Sequence, residues 1–161
     1  MSSMWRAAVI IPVLLAIAPP SSAQFSAPGS YAAAYAPSVA SSLETWRALR
    51  QSSNYRFADY ASFIIANPDW PDTTRMRGWA EKAIQPGENP ATVIAFFATD
   101  KPKTGSGWAR LAEAYAATAR VPEALEAARQ AWRSPDLNAA DEQAIWSRYG
   151  NSFTRADNDD R

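Results

Sequence analysis

The chain has 161 residues, with 16 Lys+Arg against 16 Asp+Glu, no Cys and no His, and a hydrophobic fraction of 47% including 12% aromatics. These figures exclude a disulfide framework, a thiol or imidazole nucleophile or base, and a Cys/His zinc site. Zero net charge leaves no basic footprint for nucleic acid, and the apolar content is too high for a disordered chain.

Residues 1–23 have the three-part layout of a secretory signal peptide. Arg6 supplies the positive charge, Ala7 to Ala18 is an unbroken apolar run, and Pro19-Pro20 is followed by the small residues Ser21-Ser22-Ala23. The run has 12 residues, against the roughly 20 needed to span a bilayer, so no stable membrane anchor is expected. Cleavage after Ala23 would leave Gln24–Arg161 exported, most simply to a bacterial periplasm. Residues 24–37 (QFSAPGSYAAAYAP) form a low-complexity stretch that reads as a flexible leader.

From Ser38 onward one phrase recurs: a cap, an amphipathic helix, a breaker. Leu43, Trp46 and Leu49 mark a first helix over about 38–51. Phe57, Tyr60, Ala61, Ile64 and Ile65 form the apolar stripe of a second, stopped at Asn67-Pro68. Met76, Trp79, Ala80, Ala83 and Ile84 give a third, closed by Pro86-Gly87. Asn89 caps a fourth with Pro90 at its first position. Thr104 can cap a fifth holding Trp108, Leu111 and Tyr115, although two early glycines blur its start. Pro122 opens a sixth with Leu125, Ala128 and Trp132, and Asn138 caps a seventh with Ile145 and Tyr149, ended by Gly150. Thr154 has the look of an eighth cap close to the end of the sequence. No segment alternates with period two between hairpin turns, so the expected class is all-α, with short loops and antiparallel neighbours.

The fifth and sixth helices carry a tetratricopeptide-like spacing: Trp108-x-x-Leu111-Ala112-x-x-Tyr115, then Ala124 and Ala131. Ala112 stands where that pattern has Gly, Ala128 where it has Phe, and Pro135 comes one place early. Small residues at 112, 124 and 128 would let two helices approach closely, with Trp108, Leu111 and Tyr115 packed beside them. Such a pair needs stacked neighbours, and the single good repeat points to an irregular α-solenoid over 38–161.

Candidate acid/base residues for glycan chemistry are Glu81, Glu113, Glu123, Glu126 and Glu142. All sit on helix faces beside Arg, Lys or Ala, where solvated ion pairs account for them. Asp157-Asn158-Asp159-Asp160 resembles the start of an acidic metal loop but lacks the glycine and closing Glu of an EF-hand; acidic residues in the first turn of a helix capped by Thr154 explain it. No catalytic, metal or cofactor residue is therefore assigned, and no cofactor is expected. Trp46, Trp79, Trp108, Trp132 and Trp146 lie in helical stripes and read as core. Trp70, between Asp69 and Pro71, is the expected surface contact for a sugar or peptide.

The segment Tyr55 to Trp70 (YRFADYASFIIANPDW) resembles the N-terminal superhelical region of soluble lytic murein transglycosylases, in their alphaproteobacterial form. The resemblance continues through PATVIAFFATDKPKTGSGWARLAEAYAATAR and EALEAARQAWRS to the terminal DEQAIWSRYGNSFTRADNDDR, covering about 41–161. It implies a long α-solenoid closed into a ring or horseshoe, followed by a lysozyme-like domain. That domain's single acid/base Glu, in a Glu-Ser context, cleaves peptidoglycan between N-acetylmuramic acid and N-acetylglucosamine to a 1,6-anhydro product without a metal. Here none of the seven Glu is followed by Ser, and no Gly-Leu-Met-Gln stretch occurs, so no family catalytic residue can be placed. The sequence reads as the front end of such an enzyme, cut inside its eighth helix: a scaffold module, inactive alone, that meets peptidoglycan through the missing domain. A free-standing periplasmic tetratricopeptide-like adaptor with a protein partner is the alternative, and a complete small enzyme is the third. An open end after the seventh helix would leave the chain frayed beyond about Gly150 and prone to self-associate.

Overall fold

The structure is a computed structural model that describes residues 38–161. The expected signal peptide (1–23) and leader (24–37) lie outside the described residues. Those described are all-helical, with eight α-helices and no strand: α1 (Val39–Leu49), α2 (Phe57–Ala66), α3 (Thr73–Ala83), α4 (Pro90–Thr99), α5 (Gly105–Ala117), α6 (Val121–Arg133), α7 (Ala139–Tyr149) and α8 (Arg155–Asp159). Among them, no helix is long and apolar enough to cross a membrane.

Local chemistry sets the starts. The side chains of Ser38, Asn89, Thr104, Asn138 and Thr154 each accept the N–H three residues on, at Ser41, Thr92, Gly107, Asp141 and Asp157, which satisfies a donor that the first helical turn leaves free. The α5–α6 turn closes with Arg120 N–H donating to Tyr115 C=O at 2.9 Å and Ala119 N–H to Ala116 C=O at 3.2 Å. Ala119 there has φ 59°, a left-handed conformation more often given to glycine.

Most helices pack on a chain neighbour, although α3 scarcely meets α4 and α7 scarcely meets α8, and several reach the helix two along: α2 touches α4, α3 touches α5, α5 touches α7 and α6 touches α8. The core follows this path. Phe57, Tyr60, Met76, Val93 and Phe96 are its largest fully buried apolar side chains, and Phe57 meets Phe96 edge to face at 5.2 Å between centroids. Helix α2 lies against α1, α3 and α4, so its buried arc is wider than one stripe. Phe63 is buried at 5% exposure, and Ile65, expected inside, is 42% exposed.

The most extensive helix–helix contact joins α5 and α6. Leu111, Ala112, Ala124, Ala128 and Ala131 are buried there, as the small-residue pattern requires. Trp108 and Tyr115 are only half-buried, at the margin of the core. Ala124 is fully buried, and Ala124→Leu is expected to overpack the contact by about 1–3 kcal/mol, read as a fall in the urea midpoint at unchanged m-value.

The segment after Gly150, expected to fray, is tied back to α6. Asp157 accepts from Thr154 N–H at 2.7 Å, from Thr154 Oγ1 at 2.8 Å and from Arg133 at 2.5 Å, with Arg129 at 3.4 Å. Trp132 Nε1 donates to Asn158 at 3.2 Å. The Thr154 N–H, then its hydroxyl and Arg133, hold the Asp157 carboxyl at about 2, below its ordinary 3.8, against the opposing effect of burial. A depressed carboxyl stabilises the fold above its unfolded value and ceases to do so as pH falls through the folded one. Amide protection over 155–159 is therefore expected to hold at neutral pH and to be lost between pH 3.8 and about 2, with Asp157→Asn flattening the transition. Gly150 does not end α7 in a left-handed turn; its φ is −52° and a 3₁₀ turn, Gly150–Ser152, follows. A side chain there would lie 2.9 Å from the Trp146 ring.

Candidate functional site

A concavity runs over α3, α5 and α7. It has two adjoining parts, of about 330 and 510 Å³, that share Pro86, Arg110, Ala140 and Asp141. Two of the candidate carboxylates, Glu81 and Glu113, lie in its walls.

Glu81, from α3, is 6% exposed. Its Oε1 accepts the Lys103 and Thr104 N–H groups, each at 2.7 Å, and Thr104 Oγ1 at 2.8 Å. Asp136, from the α6–α7 loop, accepts the Gly105 N–H at 2.9 Å. Two carboxylates thus meet the positive end of α5, where the helix dipole favours them. This accounts for the glycines that blur the start of α5 in the sequence. A Cβ on Gly107 would collide with the Glu81 carboxylate, and one on Gly105 would lie 2.9 Å from Leu137 Cα.

Arg110, from α5, is 7% exposed. Its guanidinium bonds Glu113 Oε2 at 3.0 Å and Asp141 Oδ1 on α7. Glu113 Oε1 also accepts the Gly87 N–H at 3.1 Å, and Asp141 Oδ2 accepts Asn138 Nδ2 at 2.7 Å. These charges join α5 to α7 and to the α3–α4 loop. They do not form a pair of free carboxylates facing each other across an apolar cleft, which glycoside hydrolysis uses. Tyr149 closes one end of the concavity; its hydroxyl is buried without a partner among the described residues, and burial pushes the phenol above its ordinary value, with Arg148 acting the other way.

The other candidates sit apart. Glu123 binds Arg120 at 2.9 Å and is held below the ordinary carboxyl range, chiefly by its own N–H and then by Arg120. Glu126 accepts from Gln130 at 2.9 Å, and Glu142 pairs with Arg161 at 2.7 Å. Asp157 turns inward to α6 and does not line a metal loop with Asp159 and Asp160; among the described residues, no group of three or more acidic side chains could hold a metal.

The tryptophans are redistributed. Trp70, expected as the surface contact, is half-buried and meets Trp46 at 6.0 Å and Phe63 at 5.5 Å, both edge to face. It lies in a loop, but Trp46 Nε1 donates to Pro71 C=O at 2.8 Å and draws that loop onto α1. Trp146, expected in the core, is 51% exposed and stacks on Trp132 at 5.1 Å. Trp108 lines a second, outer concavity with Tyr115 and Leu111. The i, i+3, i+7 spacing of these three marks one face of α5; it does not say whether a neighbour closes over that face. No family model, curated protein or solved structure matches this chain.

Proposed function

We propose that the chain is a helical scaffold module acting in periplasmic cell-wall glycan turnover, of the kind that carries a lytic transglycosylase domain. It is inactive without that domain. The observation that supports this best is the stacking: α3, α5 and α7 side by side, α2 beside α4, and carboxylates used as links between helices. We read this as an irregular α-solenoid with α5–α6 as its tetratricopeptide-like pair. The sequence resemblance over 41–161 supplies the glycan context, and the signal-like 1–23 the periplasm.

The test is incubation of the purified chain with sacculi, alone and with an isolated lysozyme-like transglycosylase domain. No anhydro-muropeptides are expected from the chain alone, and stable association with the added domain is expected by sedimentation. Product from the chain alone, or no association, would overturn the reading. Intact mass of the exported chain should begin at Gln24. The second reading, a free-standing adaptor, is favoured by the concavity on the α3–α5–α7 face, which is open to a protein segment. Genomic sequence beyond Arg161 that encodes no Glu-Ser lysozyme-like domain would favour it.

A further inference from the structure

We propose that residues 153–161 form an exchangeable arm, and that the surface they cover on α6 and α7 is a docking site for the same arm of a second copy of this chain. Among the described residues, the side-chain bonds, ion pairs and ring contacts that hold the arm all end on those two helices. Asp157 accepts from Arg133 at 2.5 Å and lies 3.4 Å from Arg129, one turn back on α6. Asp160 meets Arg133 at 3.5 Å, and Arg161 pairs with Glu142 of α7 at 2.7 Å. Asn158 accepts the Trp132 indole N–H at 3.2 Å. The Trp132 ring has the Arg161 guanidinium 3.8 Å from its centroid and Phe153 at 5.4 Å. The receiving surface thus offers two guanidiniums, an indole N–H and an aromatic face. Its complement is a ring, a carboxylate and an amide oxygen in the order Phe153, Asp157, Asn158. Every copy of the chain carries both halves, and that identifies the partner.

The arm is built to leave and to be recaptured. Asp157 is the one buried residue of α8, so release returns a carboxylate to water at little apolar cost on the arm's own side. On the α6–α7 side, release uncovers Trp132 beside Trp146, which is already 51% exposed, and takes Asp157 from both arginines. An open aromatic pair next to those guanidiniums favours recapture of a ring and a carboxylate. The hinge is the single 3₁₀ turn Gly150–Ser152. Asn151 and Ser152 are exposed, and Phe153 N–H to Gly150 C=O, at 3.3 Å, closes the turn. Rotation there swings the arm without disturbing the α5–α6 contact. Exchange of an identical element is a low-cost route to a dimer, because each copy recovers the contacts it gave up. In the closed chain the short tether presents the arm at an effective concentration of roughly millimolar order, which sets the protein concentration at which exchange competes. The exchange is separate from the scaffold reading: association with a catalytic domain neither follows from it nor is lost with it.

The test is sedimentation equilibrium of the chain with Asn151 and Ser152 deleted, so that the arm no longer reaches its own α6. The shortened chain should dimerise roughly a hundredfold more tightly than the unaltered chain, whose dimer Kd is expected on the order of 1 mM. Adding Asp157→Lys should return the shortened chain to monomer, with residues 38–149 still unfolding cooperatively. The unaltered chain at about 1 mM, mixed from ¹³C-labelled and unlabelled copies, should give NOEs between Phe153 of one copy and Trp132 of the other. That measurement needs no altered hinge and decides the matter if the shortened chain does not fold. A folded shortened chain that stays monomeric with its arm unprotected, a dimer that survives Asp157→Lys, or the absence of NOEs between copies would each overturn the assignment.

Discussion

Replacing Arg110 by alanine is expected to destabilise the chain by about 3–5 kcal/mol, the largest single-site loss anticipated in this fold. The guanidinium is 7% exposed, and Asp141, its partner on α7, is 8% exposed. Removing the cation leaves a buried carboxylate with only Asn138 to satisfy it, and Glu113 loses the donor that orients it toward Gly87. The loss measures an abandoned charge and not the net worth of the pair. Arg110→Met combined with Asp141→Leu should therefore recover most of it, because well-packed apolar replacements of a buried pair are often neutral. Urea unfolding of the two singles and the double decides the matter. If the double is as unstable as Arg110→Ala, shape and not charge sets the α5–α7 contact.

Gly107→Ala is the second large effect, at about 4 kcal/mol from a steric clash together with displaced hydrogen bonds. The new methyl occupies the place of the Glu81 carboxylate, whose Cδ would lie 2.9 Å away. To relieve the contact, Glu81 must release the Lys103 and Thr104 N–H groups and the Thr104 hydroxyl. In an ordinary exposed helix the same change stabilises by close to 1 kcal/mol, because alanine is the better helix former. The sign of the measured change thus separates the two accounts. A Glu81→Ala, Gly107→Ala double variant should be more stable than Gly107→Ala alone.

The helices were legible because their signals are local. Asn89, Thr104, Asn138 and Thr154 announce starts within four residues of what they bond, and Met76, Ala80, Ala112 and Ala128 fall on buried faces that periodicity alone identifies. What escaped depends on residues far apart in the chain. Nothing near Gly107 says that Glu81 will lie over it, and nothing near Arg110 names Asp141, 31 positions away. Ile65 and Phe63 exchange places because α2 has neighbours on three sides. Trp70, expected outside and half-buried, and Trp146, expected inside and 51% exposed, depart from expectation for a similar reason: whether an aromatic is covered is decided by the element above it, which the local spacing does not name.

The carboxylate links have a mechanical consequence. A row of helices joined only through adjacent contacts would melt in steps from whichever end is weaker, with each unit opening nearly independently of the rest. Glu81 reaches from α3 to the entry of α5, and Asp141 reaches from α7 back to Arg110 on α5. Both skip a helix. Peeling α7 away strands a cation inside α5, and loosening α3 uncaps it, so damage at either flank reaches the centre at once. Hydrogen exchange should accordingly show α3, α5 and α7 opening as one cooperative block with a shared opening free energy, not as a gradient that fades toward the ends.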